Sequence, residues 1–280
     1  MKKIILLCLV LIPAAMLLAV FDDYQPSAVA RGMGGAYTAA TNDVSAIFYN
    51  PAGLTSTNFG VKLGYANLYN QEYSELKTAA IGYRLPKKMG TIALGARMMD
   101  VNFEDVSLMG EQVWSIAHGF TLLKDIHSEI SFGYTGNFYN LSMDGEEDDS
   151  AFGLDLGVIA ILHGRTRFGF AVTNINKATM GNENQIDLPN KLAMGIAYTP
   201  YDMVTTTVEV KKDFAKETEF MGGVEARILP PLAIRFGVHQ NPALYNAGAS
   251  FYIDNVEVDY SFSYHSVLPS THFFSLGYKF

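Results

Sequence analysis

Cysteine is nearly absent from this chain. The single cysteine, Cys8, lies in an N-terminal apolar run, and residues 5–7 before it lack the small side chains that a lipoprotein site needs. If that run is removed from the mature protein, disulfides and thiol chemistry are excluded. Positive charge is also scarce: removing Lys2 and Lys3 from the 20 Lys and Arg leaves 18, against 28 Asp and Glu. This balance argues against nucleic acid as a partner.

Long apolar runs are missing after residue 21, so no later segment has the roughly 20 residues of a helical membrane span. The one such run, from Ile4 to Phe21, follows Lys2 and Lys3. A basic start, an apolar core and small residues near the end are typical of a secretory signal peptide, here with cleavage near Ala19. We assign 1–20 as a signal peptide, 21–58 as an N-terminal hatch or plug, and 59–280 as a transmembrane β-barrel that forms one domain with the hatch.

From Phe59 onward, apolar residues recur at every second position, which is the pattern of β-strands. The runs are 59–69, 76–84, 89–100, 111–122, 127–141, 150–162, 166–175, 190–200, 203–212, 217–228, 231–239, 244–253, 256–264 and 271–280. Most have the length at which a tilted strand crosses a bilayer. The pattern predicts an all-β fold, a transmembrane 14-stranded antiparallel barrel. A soluble two-sheet sandwich is the alternative.

One face of these runs is nearly free of charge, which suits contact with lipid, while the other is polar. The polar face predicts a set of lumen side chains, either lining a pathway or paired around a plug: Arg97, Asp155, Glu209, Lys211, Glu225, Arg227, Arg235, Glu257 and Asp259. His118 is an exception, because it falls on the apolar face with Trp114 and Phe120.

The polar face also carries about one glycine per strand. These are Gly64, Gly82, Gly95, Gly119, Gly133, Gly157, Gly169, Gly195, Gly223, Gly237, Gly248 and Gly277. Glycine inside a strand indicates either sheet curvature or close approach of another backbone. Both explanations fit a barrel with a plug.

Connections after odd-numbered runs are longer or more polar, as at 101–110, 142–149 and 176–189, while those after even-numbered runs are short. Bacterial outer-membrane barrels have this arrangement, with both termini on the periplasmic side. From this loop pattern we predict a bacterial outer-membrane location and contact with its lipid.

The acidic run 144–149 lacks the ligand spacing of a calcium loop, and we interpret it as a solvated surface segment.

Three stretches carry a family resemblance: Ala30-Arg31-Gly32-Met33-Gly34-Gly35-Ala36-Tyr37, Asn42-Asp43-Val44-Ser45-Ala46, and Asn50-Pro51-Ala52-Gly53-Leu54. They resemble the N-terminal hatch of the PorV/PorQ branch of the FadL-like barrels. The chain end resembles the signal read by the barrel-assembly machinery, with Phe274, Leu276, Tyr278 and Phe280 at alternate positions.

The resemblance implies one of two functions. FadL-like members pass hydrophobic small molecules, such as long-chain fatty acids, across the outer membrane behind a gating hatch. PorV/PorQ-like members serve type IX secretion as accessory or cargo-shuttle proteins. This chain departs from both groups in its short outer loops, and the secretion members also tend to be longer. A structural barrel without a transport role is a third possibility.

No enzyme is predicted, and neither a cofactor nor a metal site is expected. The Gly32–Gly35 run lacks the preceding strand of a phosphate loop. No catalytic set of a nucleophile and a base can be identified in the sequence. Instead we predict that residues 25–56 fill the lumen, with Met33, Tyr37, Phe48, Tyr49 and Leu54 packed on the glycine-bearing wall. Arg31 is expected to reach a lumen carboxylate. The predicted hatch or gate residues are Arg31, Gly32, Gly34, Gly35, Asn42, Asp43, Asn50, Pro51, Ala52 and Gly53.

Overall fold

The structure, a computed structural model, describes residues 21, 24–103, 106–181 and 185–280. Its strands are β1 Phe59–Asn67, β2 Ser74–Arg84, β3 Thr91–Phe103, β4 Val106–Lys124, β5 Ser128–Met143, β6 Asp149–Leu162, β7 Thr166–Thr173, β8 Thr179–Met180, β9 Ile186–Asp187, β10 Lys191–Tyr201, β11 Val204–Asp213, β12 Thr218–Leu229, β13 Leu232–Gln240, β14 Leu244–Ile253, β15 Val256–His265 and β16 Thr271–Lys279. Strands β8 and β9 form a small hairpin, and the other fourteen close into a barrel. The predicted fold class is confirmed, and the two-sheet sandwich is wrong. The predicted signal peptide, residues 1–20, lies outside the described residues.

The first and last strands close the barrel. Strand β1 pairs with β16 in an antiparallel register from Gly60 opposite Lys279 to Asn67 opposite His272. The amide of Phe59 donates to the carbonyl of Phe280 at 3.2 Å, and the amide of Phe280 donates back at 3.0 Å. Closure pairs the two edges that an open sheet would expose.

The outward face of the barrel is apolar. Leu63, Leu94, Ile116 and Met194 are each about half exposed, as side chains that face lipid must be in the isolated chain. Tyrosines stand near both ends of the barrel, as in the aromatic girdles of outer-membrane barrels; they include Tyr65, Tyr69, Tyr245 and Tyr264 at one end and Tyr83, Tyr198 and Tyr278 at the other. An apolar outward face between two sets of tyrosines is the surface that the predicted outer-membrane location requires.

His118 lies on the outward face, as its position in the alternation requires. Its Nε2 donates to the carbonyl of Met89 at 2.7 Å, and its ring stacks on Phe120 with centroids 5.3 Å apart. The register of β4 is therefore as predicted, and a backbone carbonyl satisfies the polar ring atom.

The predicted connection at 101–110 is wrong. Strand β3 runs on to Phe103 and β4 begins at Val106, with Val101 opposite Met109 and Phe103 opposite Val106. The residues on either side of the acidic pair at 104–105 continue the strand pairing. The predicted connection at 176–189 also contains structure, namely the β8–β9 hairpin.

In the part of the chain that the structure describes, the helices are short: α1 at Ala28–Gly32, and 3-10 helices at Val44–Phe48, Pro51–Ser56 and Leu68–Asn70. In the described ranges, no helix has the length and apolar character needed to cross a membrane.

We call the end of the barrel with the longer connections the outer end and the other the inner end. Phe21 packs beside Tyr139 and Leu141, close to the outer end of β5. Residues 24–58, the lumen segment, then run down to the inner end, where β1 begins. The expectation that the segment enters the lumen from the inner end is not met, because Phe21, the first described residue, lies at the outer end.

Candidate functional site

The lumen segment lies inside the barrel. Met33 and Tyr37 are 2% and 3% exposed, and Leu54 is fully buried. Phe48 and Tyr49 are half-buried. The Tyr37 and Tyr49 rings meet edge to face at 5.3 Å. Because side chains alone do not fill a barrel of fourteen strands, a segment of this size is needed to occupy the lumen.

Most of the inward-facing glycines lie directly against this segment. A Cβ atom at Gly133 would come within 2.4 Å of the carbonyl carbon of Pro51, and one at Gly237 within 2.1 Å of the amide nitrogen of Gly34. Gly64 and Gly277 differ, since their neighbours are side chains of the wall itself. Space for the segment, rather than curvature alone, therefore explains most of the glycine pattern.

Side-chain caps shape the segment locally. Ser27 caps α1, Asp43 caps the helix Val44–Phe48 by accepting from the Ser45 amide at 3.0 Å, and Asn50 caps the helix that starts at Pro51. Such caps satisfy amides that a helix start leaves unpaired. At Gly34 and Gly35 the backbone φ is +70° and +88°, values that favour glycine.

A buried lysine ties the segment to the barrel wall. Lys62 of β1, only 6% exposed, has its Nζ 2.9 Å from Asp43 of the segment and 2.9 Å from Asp259 of β15. Glu257 lies 3.6 Å from the same nitrogen. Burial alone would raise the pKa of Asp43, but the Lys62 ammonium and the Ser45 hydrogen bonds outweigh it and hold that pKa below the usual range.

The network continues across the neighbouring strands. Asp259 accepts from the Ser250 and Ser275 hydroxyls. Arg235 donates to the Ser250 hydroxyl at 2.6 Å and to Glu225 at 2.5 Å. Every member lies on the inner face, so the ladder links β1 to β12 along one wall. Buried charges that are paired and hydrogen-bonded in this way avoid the cost of isolated ones.

Two further contacts hold the middle of the segment. Thr38 donates to Glu209 from its amide at 2.7 Å and from its hydroxyl at 2.8 Å. The fully buried Asn50 donates from Nδ2 to the carbonyls of Thr38 at 2.9 Å and Val158 at 3.1 Å. Asn50 thus links the segment to a backbone carbonyl of β6, a strand that is already paired on both sides.

The opposite wall meets this part of the segment mainly through apolar packing. Ile47 and Leu54, together with Val44, pack against the small inward side chains of β2 to β4, which are Ala80, Ala93 and Ala117. Burial raises the pKa of Tyr37 well above its usual value, chiefly through desolvation. The segment therefore meets two different walls. We call β2–β5 the apolar wall, and β11–β16 with β1 the charged wall.

At the outer end, the apolar corner is filled by the chain itself. Phe21, 4% exposed, lies among Val113, Tyr139, Leu141, Met180 and Leu188. The last two belong to the 174–190 connection. Asn174 holds that connection in place by donating to the Leu188 carbonyl at 3.1 Å and accepting from the Ala178 amide at 2.9 Å.

Other predicted residues are placed as follows. Arg31 donates to the Tyr24 carbonyl and lies over the Phe273 ring at 5.7 Å. Asp155 accepts from Asn137 at 2.7 Å and from the amide of Asn174 at 2.7 Å. Of the predicted lumen residues, Arg97 is half-buried, Lys211 lies 3.7 Å from Glu219, and Arg227 is exposed over the Tyr252 ring. Of the predicted hatch residues, the Asn42 carbonyl accepts from Lys279 at the inner end, Gly32 lies against Gly248, Gly53 lies against Thr41, and Ala52 is buried in the segment. Phe274, Leu276 and Tyr278 lie on the outward face of β16, with Phe280 exposed just beyond it.

A cavity of about 170 Å³ opens at the outer end, above the charged wall. Its lining combines residues of the lumen segment with the strand ends around them, among them Tyr24, Arg31, Glu219, His239 and His265. Among the residues that the structure describes, no group of three or more His, Cys, Asp or Glu could hold a metal ion.

Sequence reasoning missed three residues of the site. Lys62 is the one charge on the inner face of β1, between Gly60 and Gly64, and that isolation was a usable signal. Thr38 and Phe21 gave none, because neither a threonine among alanines nor a phenylalanine beside a signal sequence indicates a partner across the lumen.

No family model and no curated protein matches this sequence. Solved structures do match. The CymD monoaromatic hydrocarbon channel superposes with a TM-score of 0.66 at 14% identity, over 94% of this chain and 98% of that one. The toluene transporter TodX of Pseudomonas putida gives 0.61 at 13%, over 92% and 98%, and a FadL homologue of Pseudomonas aeruginosa gives 0.58 at 11%, over 91% and 98%. The chain shares the barrel fold of these channels.

Proposed function

We propose that this chain passes hydrophobic small molecules across the bacterial outer membrane, gated by its lumen segment. The observation that carries the proposal is the segment itself, which fills a closed barrel and is held by ion pairs on one wall and by apolar packing on the other. The names of the matched structures, monoaromatic hydrocarbon channel and toluene transporter, support this class of cargo. That they are channels also supports a non-enzymatic role.

A disulfide lock tests the gate directly. A Cβ at Gly195 would lie 3.5 Å from the Cβ of Ala39, which is within the range of a disulfide. We expect the double variant Ala39→Cys/Gly195→Cys to stop toluene and oleate uptake into proteoliposomes when oxidised and to regain it in reductant. The single variant Ala39→Cys is the control. Equal uptake by the oxidised double variant, the control and protein-free vesicles would count against the proposal.

Within this function, we assign the segment's polar residues to holding the gate shut. Asp43 and Asn50 make contacts that cross from the segment to the wall, as Thr38 does, while Gly32, Gly34 and Gly53 let its backbone lie close to neighbouring atoms. Arg31 fixes the turn around α1 through the Tyr24 carbonyl.

We propose as a second candidate an accessory or cargo-shuttle role in type IX secretion, because the hatch stretches resemble those of the PorV/PorQ branch. It rests on the hatch motif and on the outer corner, which Phe21 and Leu188 already fill. Co-purification with secretion components or with exported cargo would favour it, while a genome without such components would exclude it. In either case, we propose that the outward-facing Phe274, Leu276 and Tyr278 with the terminal Phe280 are read by the barrel-assembly machinery.

A further inference from the structure

Two of the six histidines lie side by side at the inner end of the barrel. His127 is in the turn between β4 and β5, and His163 is in the turn between β6 and β7. Their neighbours Ser128 and Leu162 form the last pair of the β5–β6 ladder, so the two histidines face each other just beyond the strand ends. Their ring centroids are 5.3 Å apart, with planes at 42°.

The backbone fixes this juxtaposition. The His163 amide donates to the His127 carbonyl at 2.7 Å, which joins the two turns directly. The φ of His163 is +50° and that of Gly164 is +66°, the left-handed values of a tight hairpin turn. Such turns favour Asn, Asp or Gly at both positions. The turn alone therefore does not account for a histidine at 163.

The ring nitrogens of these two histidines are available for a ligand. Each of the other four histidines places a ring nitrogen against another residue: His118 against the Met89 carbonyl, His239 against Glu219, His265 against the Val267 and Leu268 amides, and His272 against the Tyr260 hydroxyl. Within the described part of the chain, the ring nitrogens of His127 and His163 have no such partner. Both side chains are exposed, so these nitrogens are open to solvent.

A pair of this kind suits a transition-metal ion, for which neutral imidazole is the commonest protein ligand. At a Zn–N distance of about 2.0–2.1 Å, two imidazoles on one tetrahedral ion have ring centroids about 5 Å apart, close to the separation found here. We infer that His127 and His163 bind one divalent transition-metal ion, such as Zn²⁺ or Cu²⁺, with water in the remaining positions. The site lies outside the lumen and is independent of the proposed transport function.

The charges around the pair do not oppose a cation. On the two turns and the strand ends beside them, the basic Lys124 and Arg165 are balanced by the acidic Asp125 and Glu129. Both basic side chains are also engaged elsewhere. Lys124 pairs with Glu129 at 2.6 Å, and Arg165 donates to the Pro200 carbonyl at 3.3 Å.

The experiment uses the purified protein in detergent, without a histidine tag, and Cu²⁺ chelated by iminodiacetate as the probe. Cu²⁺ binds a given nitrogen site more tightly than Ni²⁺ or Zn²⁺ does, and the chelator leaves two positions open for imidazole. By electron paramagnetic resonance, we expect one Cu²⁺ per chain with two imidazole nitrogens in its coordination sphere. Zn²⁺ should compete for the site, whereas Mg²⁺, which prefers oxygen ligands, should not.

Two single variants remove one ligand each. His163→Asn and His127→Gln should each weaken Cu²⁺ binding by at least about tenfold, since even an outer-shell partner of a metal ligand contributes about 10–100-fold. Asparagine suits the left-handed backbone at 163, so the turn should stay intact. His272→Ala is the matched control, because that ring nitrogen is already bonded to Tyr260, and it should bind Cu²⁺ as the wild type does.

Equal Cu²⁺ affinity in the wild type and both single variants would overturn the inference, as would a wild-type spectrum with only one imidazole nitrogen. Heat-modifiable migration on gels shows whether each variant assembles. If either variant fails to assemble, the number of coordinating nitrogens in the wild type decides alone.

Discussion

The two walls of the lumen hold the same segment in different ways. On the charged wall, Asp43 and Thr38 meet Lys62 and Glu209 through a few short polar contacts. On the apolar wall, the contacts are spread over many small side chains and glycines. Pulling the segment from the charged wall leaves unpaired buried charges, whereas pulling it from the apolar wall breaks apolar packing and hydrogen bonds such as the one from the Thr91 hydroxyl to the Thr57 carbonyl. We therefore expect the segment to hinge on the charged wall and to open along β2–β5, where an apolar cargo finds a matching surface.

Removing the segment should have the largest effect, because it exposes both walls at once. Deleting residues 25–56 leaves the strand pairing untouched but empties the lumen. We expect conductance in planar bilayers to rise about tenfold or more, since fourteen strands enclose more space than their own side chains fill. Heat-modifiable migration on gels would show that the barrel still assembles. An assembled deletion variant that conducts no better than wild type would contradict the gate.

Removing the buried lysine of the charged wall should have the second largest effect. Lys62→Met leaves Asp259, which is fully buried, and Asp43 without their shared cation. Removing one partner of a buried pair costs about 3–5 kcal/mol, which should appear as a lower urea midpoint in micelles and as frequent opening events. Lys62→Arg should restore much of the loss.

Lys77→Met is the matched control for Lys62→Met. Lys77 also pairs with carboxylates, but its side chain is about half exposed, where such pairs contribute about 0–1 kcal/mol. If the two lysine variants unfold at the same urea concentration, the buried network does not hold the segment as described.

Crowding the apolar wall should have a smaller effect of a different kind. Gly133→Leu places a side chain where the backbone of Pro51 now lies, so the segment has to shift. Overpacking of this kind costs about 1–3 kcal/mol. We expect more conductance with little change in barrel melting. Gly136→Leu on the lipid face, beside Phe152, is the control. Equal conductance of the two variants would argue against a shift of the segment along the apolar wall.

The strands of both walls were predictable from sequence, but the contacts across the lumen were not. Period-two alternation identifies which residues face inward, and it placed Glu209, Arg235 and Asp259 correctly on the inner face. It does not say which of them meets the segment, because that depends on barrel closure and on the direction in which the segment runs. The outer-end position of Phe21 reversed the expected direction of the segment.

The smallest predicted effect is a pH response of the charged wall. The pKa of Asp43 lies below the ordinary Asp value of 3.8, because Lys62 and the Ser45 hydrogen bonds favour its charged form more than burial disfavours it. A released segment returns Asp43 to water and to its ordinary pKa. The resulting stabilisation of the closed state is therefore complete above about pH 4 and is lost as the pH falls through the lowered value. Wild-type conductance should rise modestly below pH 4, while Asp43→Asn should show a slightly raised conductance with a weaker acid response. If Asp43→Asn keeps the full wild-type acid response, that response comes from other carboxylates, such as Glu257 and Asp259, and not from the contact between segment and wall.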